Sequence, residues 1–388
     1  MTPIEPHKEF GARADLIQGL VQGDNNTVTL VYQSGEQRTV PFLAPPLPLD
    51  HSIVGHEELL KQVKAGLMAG KSQVLVVLPG VGKTTLAVEV ANAPDIIRHF
   101  SDGVLWASLG HQPECLSELK RWARALGMEE EELAALGSAA QARDAIADRI
   151  GARRMLVVID DVWQESDARQ FIIGANCAHL VTSRIPTEVL DFTEHLTSVG
   201  ELSEDEGLSL LAQFAPKVAA EEEAEARALV RDYGGLPLAM VLLGKYLRRE
   251  SRSSDPKRIR HALQVLRDER AGEKGELSDA LGSAIELSYT NEALGDDGRA
   301  ALRALSIFRP KPHEFSDHLA AEVAQVDVEL LWKLDDAGLI ERTRSSDDTS
   351  FYTMQRTIAD HARARLAPEE RQEKYRRAVE YFREQMKN

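Results

Sequence analysis

The sequence has little cysteine, no long apolar run and a deficit of positive charge. Its only cysteines, Cys115 and Cys177, are too few for a disulfide framework or a cysteine zinc site, and we expect neither to take part in chemistry. No run approaches the ~18 apolar residues of a membrane span, and the first residues contain no apolar signal core. The net charge of -16 argues against a general affinity for nucleic acid or anionic membranes. Together these absences predict a cytoplasmic protein.

The length and composition of the chain predict several folded domains. Its 388 residues exceed what one core usually fills, and its 43% hydrophobic and 28% charged residues are typical of globular proteins. We therefore expect about two to four domains. The sequence shows no internal repeat.

Residues 1–48 are predicted to be separate from the rest of the chain. The stretch "GDNNTVTLVYQSGEQRTVPF" places turn signals around alternating β-forming residues, which indicates a short β-hairpin. The proline-rich run "LAPPLPLD" comes next. Proline favours extended backbone, so this run is interpreted as a linker into the next domain.

Residues 49–201 alternate short β-rich runs with helical patterns. The runs "QVLVVL", "GVLWASL", "RMLVVID", "AHLVTS" and "EHLTSV" are apolar enough to be strands buried on both faces. Strands that alternate with helices are typical of a parallel sheet covered by helices. This segment is therefore predicted to be an α/β domain with a parallel five-stranded sheet.

The remaining residues are predicted to be mainly helical. Residues 202–273 show helical spacing throughout, which indicates a small all-α bundle. In residues 274–366, helices flank the hairpin-like stretch "LIERTRSSDDTSFYTM", an order that is typical of a winged helix. Residues 367–388 are predicted to form a single charged helix.

The stretch "VLVVLPGVGKTTLA" combines a buried strand, a glycine-rich turn and a helix that begins at a lysine. Unpaired backbone N–H groups and the helix dipole make such a turn a cradle for phosphate. Gly80 and Gly82 let the backbone close around a β-phosphate, and Lys83 can reach the β- and γ-oxygens. The hydroxyl of Thr84 can bind Mg²⁺, and Thr85 lies near the α-phosphate. The stretch therefore predicts a P-loop for ATP or ADP.

The turn departs from the usual P-loop pattern at one position. The pattern G-x-x-x-x-G-K-[ST] has a glycine where this chain has Val77. A β-branched residue there extends the strand, and the amides of the cradle lie mainly after it. Pro79 and Val81 complete the predicted nucleotide-binding loop. The alternative is a glycine-rich turn that precedes lysine and threonine by chance.

Acidic residues follow the strand "MLVVIDDVW" at the sheet edge where α/β proteins bind ligands. Asp160 is predicted to bind Mg²⁺ partly through its water shell, and Asp161 to orient or deprotonate an attacking water. The alternative is a pair of acids in a solvated turn. The next strand ends at Thr182 and Ser183, and Arg184 just beyond it can reach a γ-phosphate. The alternative is that Arg184 forms an ion pair on the surface.

The stretch "YGGLPLAM" joins two helices. Gly234 and Gly235 end one helix and Pro237 begins the next. By itself this is the usual way to end and begin helices at a helix–turn–helix corner.

The four stretches "LPGVGKTTLA", "LVVIDDVW", "LVTSR" and "GGLPLA", in this order, resemble the signature of the NB-ARC family. This family of STAND-type P-loop NTPases contains the nucleotide-binding switch of apoptotic adaptors, plant immune receptors and bacterial signalling ATPases. "SIVGHEELL" resembles its opening motif, and the likeness extends from about Ile53 to Leu366. The resemblance implies an AAA-like sheet, a helical bundle and a winged helix folded over ADP.

The resemblance also implies roles for individual residues. Pro237 would pack on the adenine, Val54 and His56 would lie near the base, and Arg184 would sense the γ-phosphate. The opening motif usually has an arginine where His56 stands. The family's Met-His-Asp motif, whose histidine touches the β-phosphate, appears here as Met354, Gln355 and Arg356.

Gln355 can donate one neutral hydrogen bond to the nucleotide but carries no charge. The alternative is an amphipathic helix that does not contact a ligand.

The leading hypothesis is a molecular switch in signal transduction that is closed with ADP and open with ATP, and that hydrolyses ATP slowly. In the ATP state it would form a homo-oligomer or bind a protein partner. A second hypothesis is a scaffold that holds ADP without hydrolysis. The third, a DNA-handling ATPase of the AAA type, is suggested by the winged helix and opposed by the acidic charge.

Overall fold

The computed structural model describes residues 19–22, 27–31, 37–45, 54–76, 81–183, 185, 195–251, 256–272, 277–311, 313–345 and 348–386. The predicted linker lies outside this part of the chain beyond Pro45.

The described strands form three separate sheets. They are β1 (Gly19–Gln22), β2 (Thr27–Val31), β3 (Gln37–Pro41), β4 (Gln73–Val76), β5 (Val104–Ser108), β6 (Leu156–Val162), β7 (Ala178–Ser183), β8 (Leu196–Ser198), β9 (Phe315–Ser316), β10 (Glu341–Ser345) and β11 (Ser350–Thr353).

Helices connect and cover these strands. The described helices are α1 (Glu57–Met68), α2 (Lys83–Asn92), α3 (Pro94–His99), α4 (Cys115–Ala125), α5 (Glu130–Ala135), α6 (Ala139–Ile150), α7 (Glu165–Arg169), α8 (Glu204–Phe214), α9 (Pro216–Glu221), α10 (Glu223–Asp232), α11 (Pro237–Glu250), α12 (Pro256–Gly272), α13 (Leu277–Thr290), α14 (Gly295–Leu305), α15 (Asp317–Ala324), α16 (Val328–Asp336), α17 (Arg356–Arg363) and α18 (Pro368–Gln385). None of the helices described is long and apolar enough to cross a lipid bilayer.

The central sheet is parallel and has the strand order β5-β6-β7-β4-β8. Every residue of β4 to β7 is buried, as expected for strands covered on both faces. This confirms the predicted five-stranded α/β sheet. The strand β8 lies at the edge of the sheet and has no buried residue, so the prediction that it is buried on both faces was wrong. Because the strands are parallel, the residues that end β5, β6 and β7 meet at one edge, which we call the carboxyl edge.

The N-terminal strands form a three-stranded antiparallel sheet, so the predicted hairpin gains a third strand. The chain after β3 packs on the central sheet. The backbone N–H of Leu43 donates to the carbonyl oxygen of Val104 over 2.8 Å, and Phe42 and Ala44 are buried. The start of the proline-rich run therefore covers the edge strand β5, a role that its composition alone did not indicate.

Residues 202–272, which we call the helical region, contain helices α8 to α12 packed on one another. A capping box begins α8, because the Ser203 side chain accepts from the Glu206 N–H while the Glu206 side chain accepts from the Ser203 N–H. The buried hydroxyl of Tyr233 donates to the carbonyl oxygen of Leu266 over 3.2 Å and links α10 to α12.

Residues 277–366, which we call the small-sheet region, combine helices α13 to α17 with strands in the order β10-β11-β9. The pairing of β10 with β11 confirms the predicted hairpin. Helix α15 packs against this sheet, α14 packs on α15, α16 and α17, and α18 packs mainly on α15.

The contact between the N-terminal chain and the central sheet can be tested at a glycine. Gly103 has a φ of 121°, and a Cβ there would collide with the carbonyl oxygen of Pro41. We expect Gly103→Ala to lower the free energy of unfolding by at least about 2 kcal/mol. Gly127→Ala is the matched control, since its φ is 82° and nothing lies within 4 Å. Equal losses in urea denaturation of the two variants would contradict this packing.

Candidate functional site

The N-terminus of α2 lies beside the carboxyl edge. Gly82 precedes the helix with a φ of 98°, a conformation that glycine adopts without the strain of a Cβ. Lys83 begins the helix and is only 7% exposed. A helix N-terminus carries free N–H groups and a partial positive charge, and the lysine adds a full charge. This part of the site is therefore suited to an anion.

A chain of hydrogen bonds joins α2 to the ends of β6 and β7. The hydroxyl of Thr84 donates to the carboxylate of Asp160, with distances of 3.1 Å to Oδ1 and 3.0 Å to Oδ2. The hydroxyl of Thr182 donates to the same Oδ1 over 2.6 Å. It also accepts a hydrogen bond from the backbone N–H of Asp161 over 2.9 Å. Thr182 thus fixes both acidic residues relative to each other.

The two acidic residues lie where the strand β6 is irregular. The register of β6 against β7 shifts between Ile159 and Val162, and Asp161 has a φ of 57°. A left-handed conformation at a residue other than glycine is uncommon and tends to occur at functional sites. At this β-bulge Asp160 contacts Thr84 of α2, whereas Asp161 contacts Arg356.

Burial changes the protonation of Asp160. Removal from water, together with the nearby charge of Asp161, raises the pKa of Asp160 to about 6. Hydrogen bonds from Thr182 and Thr84 and the positive charge of Lys83 oppose this rise. An additional cation beside Asp160 would stabilise its ionised form further.

These residues fit a nucleotide phosphate with Mg²⁺. A hydroxyl and a carboxylate lie within hydrogen-bonding distance of each other beside a buried lysine and a helix N-terminus. Within the described ranges, no three His, Cys, Asp or Glu side chains converge into a metal cage. Magnesium usually needs only one or two protein ligands, because phosphates and waters supply the rest.

Two glycines that adjoin predicted nucleotide-binding residues lie close to Leu202, at the start of the helical region. A Cβ on Gly55 would touch the Leu202 side chain, and one on Gly235 would collide with the Leu202 carbonyl oxygen. Val54 and His56 flank the first of these glycines, and Pro237 begins α11 just after the second. Burial lowers the pKa of His56, and in the described residues its Nε2 has no hydrogen-bond partner.

Two side chains of the Met-Gln-Arg tripeptide, in the small-sheet region, contact different partners. The amide of Gln355 donates to Glu341 over 2.8 Å, and Lys311 pairs with the other oxygen of that carboxylate over 3.1 Å. Nε of Arg356 lies 2.9 Å from Oδ2 of Asp161. The side chain of this tripeptide that reaches the carboxyl edge is therefore the arginine.

The remaining predicted residues either adjoin the start of α2 or lie outside the part of the chain that the structure describes. Val81 is buried and Thr85 is half-buried, next to Thr84. Val77, Pro79, Gly80 and Arg184 lie outside the described residues.

Two residues, Thr182 and Arg356, make contacts at the site that the sequence patterns did not predict. The signals that could have found them were the hydroxyl at the end of the strand "HLVTS" and the arginine in place of an aspartate.

The raised pKa of Asp160 predicts that wild type and Asp160→Asn, both without nucleotide, differ in stability by an amount that depends on pH. The folded chain holds the proton up to about pH 6, against 3.8 for the ordinary carboxyl, so its stability falls as pH rises through this window. Asp160→Asn does not ionise and still accepts the hydroxyl hydrogen bonds. We expect it to gain about 3 kcal/mol of unfolding free energy relative to wild type between about pH 4 and pH 7.

Urea denaturation at both pH values measures this gain. Asn substitution at Asp144, an exposed residue of α6, is the control and should show a constant difference from wild type. An Asp160→Asn gain that does not change with pH would contradict the proposed burial of charge.

The chain is similar to known proteins over its nucleotide-binding segment. The NB-ARC domain family matches residues 56–221. The putative disease resistance RPP13-like protein 3 of Arabidopsis thaliana is 26% identical over 228 residues, which are 53% of this chain and 27% of that protein. Apoptotic protease-activating factor 1 of Mus musculus is 28% identical over 180 residues, 44% of this chain and 14% of that protein. The chain thus spans about a quarter or less of these relatives.

Among solved structures, the fold is similar to that of a signal transduction ATPase with numerous domains (STAND) and a tetratricopeptide repeat sensor from Pyrococcus horikoshii. The TM-score is 0.55 at 17% identity, over 89% of this chain and 47% of that one. The chain therefore contains an NB-ARC domain at residues 56–221.

Proposed function

We propose that the protein binds ADP or ATP with Mg²⁺ and acts as a molecular switch that hydrolyses ATP slowly. The observation that carries this proposal is the hydrogen bond from Thr84 to Asp160 beside the buried Lys83. It places a hydroxyl, a carboxylate and a cation at the N-terminus of one helix. These groups are the ones that phosphate and Mg²⁺ require.

Each residue at the carboxyl edge has one task in this proposal. The backbone around Gly82 and the ammonium of Lys83 hold the phosphates, and Thr84 and Asp160 hold Mg²⁺. Mg²⁺, when bound, neutralises negative charge on the phosphates. Asp161 orients the attacking water and accepts its proton. Arg184 would contact the γ-phosphate, as its place directly after β7 suggests.

The purine is proposed to lie near Leu202. Gly55, which Val54 and His56 flank, lies close to this residue, and so does Gly235, two residues before Pro237. A nucleotide that bridges these groups and the carboxyl edge would contact the central sheet and the helical region together. Its binding would then stabilise one arrangement of the two.

We assign the functional divisions of the chain from these contacts and from the sequence. Residues 49–201 would be the nucleotide-binding domain, 202–273 a helical domain, 274–366 a winged helix and 367–388 a C-terminal helix, after the N-terminal segment 1–48. The order of helices and the β10–β11 hairpin supports the winged helix.

The output of the switch is proposed to be an interaction with protein. ATP differs from ADP by one phosphate, so the γ-phosphate contacts are what can bias an open arrangement over a closed one. The open form would self-associate or bind a protein partner. The names of the relatives, which refer to disease resistance and to activation of an apoptotic protease, support a role in signalling.

Lys83→Ala tests nucleotide binding directly. Loss of a charge-assisted contact to phosphate is expected to weaken ADP and ATP binding by at least about tenfold. Isothermal titration calorimetry in the presence of Mg²⁺ measures both affinities. Lys71→Ala is the control, because Lys71 is an exposed lysine just before β4. Near-normal affinity in Lys83→Ala would count against the proposed site.

One observation favours the second hypothesis, a scaffold that holds ADP without hydrolysis. Nε of Arg356 lies 2.9 Å from the Asp161 carboxylate, the group that would otherwise accept a proton from water. A permanent ion pair there would leave the protein with a bound nucleotide and no catalytic base.

Phosphate release distinguishes the two functions. A slow hydrolase should lose about 100-fold or more of its rate in Asp161→Asn, because a neutral amide cannot accept the proton. The measurement is single-turnover release of phosphate from ATP by each protein. Rates that are equal and at background would favour the scaffold.

A further inference from the structure

An ion pair joins the small-sheet region to the carboxyl edge. Arg356 is the first residue of α17, and its Nε lies 2.9 Å from Oδ2 of Asp161 at the end of β6. The side chains are 24% and 8% exposed. Solvent ions screen such a pair less than a surface pair, and loss of one partner leaves the other charge poorly solvated. This contact is therefore sensitive to the state of either residue.

A slot in the loop after β5 accommodates the arginine. A Cβ on Gly110 would lie 2.9 Å from Nη2 of Arg356, so the guanidinium lies directly against this glycine. The backbone N–H of Gly110 donates to the carbonyl oxygen of Asp161 over 3.0 Å. The ends of two neighbouring strands thus form one surface that fits a planar guanidinium. Side-chain shape, as well as charge, supports the contact.

A second ion pair connects the same two parts of the molecule. Arg309, before β9, contacts Glu118 on α4 over 3.1 Å, and Arg121 lies 3.6 Å from the other oxygen of that carboxylate. His313 is half-buried near these groups. Burial and the charges of Arg309, Arg121 and Arg356 lower its pKa to about 3, so it is neutral at neutral pH.

The contact surface therefore sets three guanidinium groups, Arg121, Arg309 and Arg356, against two carboxylates, Glu118 and Asp161. If Asp161 turns away, the excess of positive charge grows from one to two and the docking weakens. An aspartate in place of Arg356, as in the family motif, would instead face Asp161 with a like charge. The arginine is what makes this contact attractive.

We propose that Arg356 is a latch that docks the small-sheet region on the central sheet by binding the carboxylate of Asp161, so that Asp161 serves either the ion pair or the attacking water. This inference rests on the proposed function, which gives Asp161 the role of base. Hydrolysis then requires Arg356 to leave. The coupling is reciprocal, because whatever draws Asp161 to the water also releases the small-sheet region.

The first arm of the test uses protein without nucleotide. Hydrogen exchange followed by mass spectrometry is compared for wild type, Arg356→Ala, Asp161→Asn and the double variant. The latch predicts that each single variant speeds exchange in peptides of α17 and the end of β6 by about tenfold. The double variant should add little, because the single changes break the same contact. Additive effects, or no effect, would overturn the latch.

The control for this arm is Arg344→Ala. Arg344 pairs with Glu314 over 3.0 Å inside the small-sheet region, so its loss removes an arginine without touching the central sheet. Exchange at the end of β6 should stay at the wild-type rate. Should Arg356→Ala fail to fold, as judged by circular dichroism, Arg356→Gln and Arg356→Lys replace it. Lysine should restore part of the protection, and glutamine should not.

The second arm measures phosphate release from bound ATP with Mg²⁺. The latch predicts that Arg356→Ala hydrolyses ATP about tenfold faster than wild type, and that adding Asp161→Asn abolishes this gain. Faster exchange with unchanged hydrolysis would contradict the proposal that the ion pair keeps Asp161 from serving the attacking water. A wild-type protein that binds no nucleotide would refute the proposed function instead, and calorimetry on the same samples separates these two failures.

Discussion

The buried carboxylate of Asp160 is the constraint on which the rest of the site depends. A charge at this depth is tolerated only because Thr84 and Thr182 donate to it and Lys83 lies nearby. These groups belong to α2 and β7, so the carboxylate at the end of β6 holds the start of α2 against the sheet. Its raised pKa shows that the compensation is incomplete. A divalent cation can supply the part that is missing.

Asp161 meets a different constraint, because it lies against the small-sheet region. Its carboxylate contacts Arg356, which begins α17. A carboxylate held in an ion pair is not free to approach a water. In the proposed function, slow hydrolysis and docking of the small-sheet region would therefore have one physical origin. The small-sheet region would act on the chemistry by occupying a group at the site, without any change in the P-loop itself.

Much of this arrangement could be predicted from the sequence, because it depends on local pattern. The strands β4 to β7 lie in apolar runs, and the lysine, threonine and acidic residues follow or end them. The roles of Thr182 and Arg356 could not be predicted in this way. The first depends on the register between β6 and β7, and the second on docking between elements far apart in the chain. Phe42 and Leu43 illustrate the same limit, since a proline-rich run indicates extended backbone and says nothing of the strand that it covers.

The most direct test of the central claim is the identity of the nucleotide that the folded protein retains. Purified protein is incubated with ATP and Mg²⁺, freed of unbound nucleotide by gel filtration and denatured with acid, and the released compound is quantified by ion-exchange chromatography. The account predicts close to one equivalent of ADP or ATP per chain. Release of no nucleotide, from protein shown to be folded, would contradict it.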